Sequence, residues 1–281
     1  MKFKDMHKLP LVLVAAMFLV GAIAYAQLPM RIPMHWGVSG QIDGWGTKSV
    51  LTVFFAPLML VAIYLLLWFV PYLDPQRGNL IRSKQVYSIA VELLGGMMTI
   101  VFFGQLYASF YNALPMASIV EVATGAMFVV LGNYMGRVKR NWTMGVRFSW
   151  TLSDDTVWAK TNRLGGRLFM GAGVLAIVGA FLPPTVGFLF ILLPAHIIIP
   201  ITYVYSMQLY RQLHPGAMEP PVPLAMPTDG EPDSGEPTAQ LVASAPLPQG
   251  ERIEVLCPAC GAENAPGNRE CISCGKPLSG S

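Results

Sequence analysis

The sequence predicts an all-α polytopic membrane protein with six transmembrane helices, a disordered linker and a small C-terminal zinc ribbon. Of the 281 residues, 53% are hydrophobic and 12% are charged, whereas an average soluble domain has roughly 25% charged residues. Apolar runs recur between residues 9 and 210, and all four cysteines follow residue 256. These observations divide the chain into a membrane part and a water-soluble tail.

The membrane part contains six apolar runs. A helix needs about 20 residues to cross the hydrocarbon core of a bilayer, and five of the runs meet that length. The fifth run is short and needs residues 165–167 to complete a span. The first run follows Lys2, Lys4 and Lys8, a layout that a cleavable signal peptide shares. The runs cover residues 9–26, 50–72, 86–106, 116–134, 168–182 and 186–209.

Basic residues predict the orientation of the spans. Lysine or arginine occurs at the N-terminus, after the second and fourth runs, and after the sixth. The first alternate loop has only Arg31 and Lys48, and the other two have neither residue type. Because basic loops stay in the cytoplasm, we expect a multi-pass protein of the cell membrane with both termini in the cytoplasm.

The first outer loop, residues 28–48, is dense in glycine, proline and tryptophan. One interpretation is a compact Ω-loop whose tryptophans rest on lipid and whose Asp43 caps a turn. The alternative is a surface that binds a polar or peptide ligand, because aromatic and charged side chains can contact such a partner. The candidate ligand-binding residues are His35, Trp36, Asp43, Trp45 and Lys48.

The second dense stretch, residues 132–169, lies on the predicted cytoplasmic side. Ser153 is predicted to cap a short interfacial helix, because serine is a favoured N-cap residue. Seven positive charges in this stretch would attract anionic lipid headgroups of the bilayer. The alternative is a docking face for a soluble protein, with candidate partner-binding residues Arg147, Trp150, Trp158 and Arg163.

Two motifs in these stretches carry a family resemblance. The segment PMHWGVSGQIDGWGTK, residues 33–48, resembles the signature loop of a domain of unknown function at the front of SdpI-type membrane proteins. The segments NWTMGVRFSWTLS, residues 141–153, and VWAKTNRLGG, residues 157–166, are similar to the core of the SdpI domain. Gly37, Ile42 and Asn162 depart from residues that the family often has there. The resemblance covers roughly residues 10–210.

The resemblance implies a role in immunity and signalling. By this resemblance, the front membrane domain of the chain would span residues 1–112, and the SdpI-like domain would span residues 113–214. A bacterial protein of this type would protect against a membrane-active extracellular peptide, relay a signal to a cytoplasmic regulator protein, or both.

Polar residues inside the spans support a different hypothesis. Glu121 lies in the fourth run and His196 in the sixth, and ionisable groups in a membrane often mark ion or solute paths. A small-solute or ion transporter using both residues is therefore the alternative function. The sequence shows no nucleophile–base pair or phosphate-binding loop, so we do not expect an enzyme. The net charge of +3 gives no argument for nucleic-acid binding.

The tail divides into a linker and a metal site. Residues 215–253 are rich in proline and acidic residues, and such a segment cannot bury a core and stays disordered. Residues 254–281 contain two Cys-x-x-Cys pairs, which supply four thiolates for one tetrahedral, structural zinc ion. The predicted ligands are Cys257, Cys260, Cys271 and Cys274.

The zinc site can be tested directly. Purified protein is expected to contain about one zinc ion per chain, because four thiolates complete a tetrahedral structural site. Cys271→Ser should release the metal and unfold the tail while the membrane helices stay assembled, as measured by elemental analysis and circular dichroism. Full zinc retention in this variant would place the metal elsewhere.

Overall fold

The computed structural model describes residues 8–111 and 114–216, with the backbone of residues 255–256 and 263–264. The chain forms two compact units, Met1–Thr228 and Asp229–Ser281. The described part of the first unit contains helices α1 to α8 and one hairpin, β1–β2. In chain order the elements are α1 (Lys8–Tyr25), β1 (Arg31–Trp36), β2 (Ile42–Thr47), α2 (Val50–Leu73), α3 (Arg77–Arg82), α4 (Lys84–Tyr111), α5 (Met116–Met135), α6 (Ser149–Ser153), α7 (Asp155–Gly179) and α8 (Pro184–Leu213).

Within the described residues, five helices are long and apolar enough to cross a membrane: α1, α2, α4, α5 and α8. They coincide with five of the six predicted runs, so the protein is a mostly helical, multi-pass membrane protein. The remaining run belongs to α7, which is 25 residues long but is not among those five. Its first half carries Lys160, Arg163 and Arg167. A sixth span through α7 stays a prediction.

Helix α7 begins before the fifth apolar run, because the charged segment that precedes this run is also helical. Asp154 is its N-cap, and the Asp154 carboxylate accepts a hydrogen bond from the Val157 amide at 2.7 Å. The expected cap at Ser153 is wrong, since Ser153 ends the preceding helix α6. The predicted interfacial helix and the fifth run are one continuous helix.

Helices α5 and α7 pack antiparallel through paired glycines. Gly125 faces the carbonyl oxygen of Gly173, and a Cβ added at Gly125 would lie 2.6 Å from that oxygen. One heptad along, a Cβ added at Gly132 would lie 2.5 Å from the carbonyl oxygen of Gly166. Small residues let helix backbones approach this closely inside a bilayer. We call this contact the glycine seam.

The first half of the bundle has its own core between α1, α2 and α4. Met17, Leu60 and Phe102 come from these three helices and are fully buried. Gly21 of α1 leaves room for the rings of Phe54 and Phe102. Ile32 of the hairpin joins the same core, so β1 is attached to the helices by apolar packing as well as by the chain.

The outer loop is a β-hairpin, so the Ω-loop expected as one interpretation is wrong. Strands β1 and β2 pair antiparallel, with Arg31 opposite Thr47 and Trp36 opposite Ile42. The turn closes through Gly40, whose φ of +77° suits glycine. The Gln105 side-chain amide of α4 donates to the Pro33 carbonyl at 3.2 Å. This bond anchors the hairpin to the bundle.

In the second unit the described backbone forms two short antiparallel strands. Strand β3 (Val255–Leu256) pairs with β4 (Glu263–Asn264). The predicted zinc ligands Cys257, Cys260, Cys271 and Cys274 lie outside the described residues, as does nearly all of the predicted linker.

The glycine seam predicts different effects for two glycines of α7. Gly173→Ala is expected to destabilise the protein by about 1–3 kcal/mol, because its methyl group would collide with the Gly125 carbonyl oxygen. Gly171 has open space around its Cα, so Gly171→Ala should be neutral or stabilising by up to about 1 kcal/mol. Thermal unfolding of the purified variants in lipid nanodiscs measures both. Equal effects at the two positions would contradict close backbone packing.

Candidate functional site

The hairpin lies over the ends of two membrane helices. The Cα of Gly40 in its turn approaches Ala117 in the first turn of α5 and Pro184 at the start of α8. We call this end of the bundle the hairpin end, and the end that carries residues 136–154 the loop end. The hairpin therefore forms a cover whose underside faces α4, α5 and α8.

Two cavities lie beneath this cover, and Trp36 lines both of them. The tip cavity, of about 530 Å³, also contacts Trp45, Ser118 and Pro184. The second, which we call the outer cavity, has a volume of about 450 Å³. Its walls come from the hairpin and from α4, α5 and α8, including His35, Trp36, Val101, Glu121, Thr124 and Phe188.

Glu121 is the buried ionisable residue of the outer cavity. Only 4% of its surface is exposed, and no described residue forms a hydrogen bond with its Oε2. The carboxyl group lies against Gly187 of α8, where an added Cβ would be 2.5 Å from Oε2. A buried carboxylate without donors or a counter-charge is energetically costly. The site is therefore able to stabilise a cation or a proton.

His35 and Asp43 form a pair across the hairpin. The His35 Nδ1 and the Asp43 Oδ1 are 2.6 Å apart, and the two side chains are 71% and 54% exposed. The expected role of Asp43 as a turn cap is not what the structure shows, because its carboxylate contacts the imidazole. An exposed pair of this kind contributes little stability. It leaves both side chains accessible beside the mouth of the outer cavity.

Of the remaining two predicted ligand-binding residues, Lys48 holds the base of the hairpin and Trp45 lies on its surface. The Lys48 ammonium donates to the Leu28 carbonyl at 2.9 Å and lies over the Tyr25 ring. Trp45 is exposed and is covered on one face by the Arg31 guanidinium, 5.7 Å from the ring centroid. Of the five predicted residues, His35 and Trp36 line the outer cavity, while Trp45 lines the tip cavity.

His196, the second residue of the transporter hypothesis, lies outside the outer cavity. Its ring is on the exposed face of α8, and its Nδ1 is 2.8 Å from the Leu192 carbonyl oxygen of its own helix. It does not line the outer cavity with Glu121. The structure therefore does not bring the two residues of the transporter hypothesis into one site.

At the loop end, tryptophan and asparagine side chains organise the chain between α5 and α7. The Trp158 indole donates to the Val138 carbonyl at 2.8 Å. The Asn162 side chain accepts from the Val146 amide at 2.8 Å. Gly145 has a φ of +106°, and an added Cβ would lie 2.5 Å from the Asn162 Oδ1. These motif residues hold the loop in one conformation.

Asp74, which the sequence reasoning missed, ties this loop to the first half of the bundle. It caps the end of α2 and is 6% exposed. Its Oδ2 accepts from the Trp142 amide at 3.0 Å and from the Thr143 hydroxyl at 2.6 Å. An aspartate directly after an apolar run and before a proline is a local signal for a cap, but its partners are far away in sequence.

The four predicted partner-binding residues divide by exposure. Trp150 and Trp158 are buried, and the Trp150 indole donates to the Ser206 hydroxyl of α8 at 2.7 Å. Arg147 and Arg163 are exposed. Arg163 lines a basic pocket of about 420 Å³ with Lys160, Leu164, Arg167 and Tyr205. Within the described ranges, no carboxylate forms an ion pair with its three cations.

Comparison with known proteins identifies both halves of the membrane unit. Residues 137–206 match the SdpI/YfhL protein family. The resemblance to the SdpI family is confirmed. The SdpI-family match begins just after α5 and contains the loop, α6, α7 and most of α8. Residues 12–61 match a domain of unknown function (DUF1648), and this match contains the whole hairpin.

A curated relative extends the similarity over most of the chain. The immunity protein SdpI of Bacillus subtilis (strain 168) is 24% identical over 204 residues, which cover 73% of this chain and 95% of the relative. No solved structure matches the chain. Of the helices that line the outer cavity, α8 lies largely within the SdpI-family match, and α5 directly precedes it.

Proposed function

We propose that this chain is an SdpI-like receptor that protects a bacterium against a membrane-active peptide. The peptide would contact the hairpin and enter the outer cavity from the hairpin end. Support comes from the similarity to an immunity protein and from the site itself. Binding alone would give protection, so we infer a binding protein and not an enzyme.

One observation carries the proposal: Trp36 of the hairpin and Glu121 of α5 line the same cavity. A half-buried aromatic side chain of the hairpin and a buried carboxyl group thereby become parts of one site. The cavity has more apolar than polar lining and lies at the end of the bundle, where a peptide partitioning into the membrane interface would meet it. Sites of this kind, concave and apolar with a few polar groups, are typical ligand sites.

The loop end fits a relay to the cytoplasm. In the predicted orientation, the basic pocket of Lys160, Arg163 and Arg167 faces the cytoplasm of the cell, as do both termini. We propose that its unpaired cations and the zinc ribbon contact a regulator protein there. Helices α7 and α8 join this pocket to the hairpin end, so a change in their packing provides a physical connection between the two sites.

A cell-survival assay tests the protective role. Cells lacking the gene should be sensitive to medium conditioned by the parent strain, and the wild-type chain should restore survival. The double variant Trp36→Ala, Asp43→Ala should fail to do so, because losing one aromatic anchor costs about 2 kcal/mol, or roughly thirtyfold in affinity. Trp68→Ala is the matched control, since Trp68 is an exposed tryptophan of α2 away from both hairpin cavities.

Membrane levels of each variant are compared by immunoblot, so that loss of protein is distinguished from loss of binding. Full protection by the double variant at normal levels would contradict a role for the hairpin. Equal loss in the Trp68→Ala control would show that the effect is not specific to this site.

A further inference from the structure

The outer cavity contains a buried carboxyl group and, among the described residues, no lysine or arginine. Among the described residues that line it, the ionisable ones are His35 and Glu121. The His35 Nδ1 is already engaged by Asp43, and no described residue donates a hydrogen bond to the Glu121 Oε2. A carboxylate in this position has neither the donors nor the counter-charge that buried charges normally have.

The surroundings of Glu121 exclude a partner from within the bundle. Gly187 on α8 lacks a side chain, and the Glu121 carboxyl group occupies the space beside its Cα. Helix α5 contributes Val120 and Thr124 to the cavity, and α8 contributes Phe188 and Ile191. A proton can neutralise Glu121, whereas a cation that pairs with its ionised carboxylate would have to come from a molecule that enters the cavity.

The other walls indicate what kind of cation fits. Met34, Val101, Met116 and Phe188 make the cavity largely apolar, which favours a cation attached to a hydrocarbon chain. Trp36 lines the cavity as well, and a cation placed over a tryptophan ring is attracted by the ring quadrupole. A hydrated metal ion would gain nothing from these walls.

We propose that the outer cavity is a binding site for an amphipathic cation, a primary ammonium group on an apolar chain, with Glu121 as its counter-charge. In a peptide ligand this group would be the N-terminal amine or a lysine beside apolar residues. The inference rests on the proposed function for the identity of the outer cavity as the ligand site. It adds the chemical class of the group that the cavity recognises.

The test uses the purified full chain in phosphatidylcholine nanodiscs and two probes of the same length, hexylammonium and hexanol. Hexylammonium should raise the thermal unfolding temperature of the wild type, because a ligand that binds only the folded state stabilises it. Hexanol should have a much smaller effect. Glu121→Gln should abolish the hexylammonium effect. Glu92→Gln is the matched control, since Glu92 is an intramembrane glutamate of α4 that does not line the cavity.

A second measurement does not require a variant. Dicyclohexylcarbodiimide modifies protonated carboxyl groups in apolar surroundings by adding across the carboxylic acid, and mass spectrometry of peptides locates the adduct. Wild-type protein should be modified at Glu121, and hexylammonium at about ten times its Kd should slow this reaction about tenfold by occupying the site. Labelling at Glu92 should not change.

If hexanol raised the thermal unfolding temperature as much as hexylammonium does, the proposal would be overturned, because the cavity would then bind apolar chains without recognising charge. Unchanged hexylammonium stabilisation in Glu121→Gln would overturn it as well. A chain that binds hexylammonium through Glu121 but protects no cells would support this inference and contradict the proposed function. The two failures are therefore distinguishable.

Discussion

Direct backbone contact between helices is the constraint on which the second half of the bundle depends. The paired glycines of α5 and α7 bring the two backbones together, and the contact continues into α8, where a Cβ added at Gly187 would lie 2.6 Å from the Gly179 carbonyl oxygen. The glycine seam holds α7, whose first half is charged, in contact with the apolar helix α5. It also leaves beside Gly187 the space that the Glu121 carboxyl group occupies, so the same geometry builds the bundle and the outer cavity.

The two ends of this bundle are built differently. At the loop end, the Trp158 indole donates a hydrogen bond and the side chains of Asn162 and Asp74 accept hydrogen bonds from backbone amides, which holds the chain in one conformation. Unsatisfied groups would be costly there. At the hairpin end, Gln105 and Ile32 attach the hairpin, while Trp36 borders open cavities. The two ends therefore differ in how their chain segments are attached: by several side-chain hydrogen bonds at the loop end, and by one side-chain hydrogen bond and apolar packing at the hairpin end.

The helices were predictable because apolar runs of about 20 residues have one common solution in a bilayer. Only the second half of α7 was predictable as an apolar run, since the first turns of the helix are charged. The position of α7 in the bundle depends on its contact with glycines in α5. The hairpin was missed because Pro33 and several glycines break the strand pattern, and its anchor, Gln105, is 72 residues from Pro33. Trp36 and Glu121 were each singled out, but only tertiary packing puts them in one cavity. The zinc ligands lie outside the described residues and stay a prediction.

The central claim is that the hairpin with its outer cavity faces the outside of the cell while the loop end faces the cytoplasm. The most direct test places single cysteines at Ser39 in the hairpin turn or at Ser153, the last residue of α6, both exposed, in a variant without the four native cysteines. Intact cells are treated with a maleimide that cannot cross the membrane. The account predicts labelling at Ser39→Cys in intact cells and at Ser153→Cys only after lysis. Labelling of both positions from outside, or of Ser153→Cys alone, would contradict it.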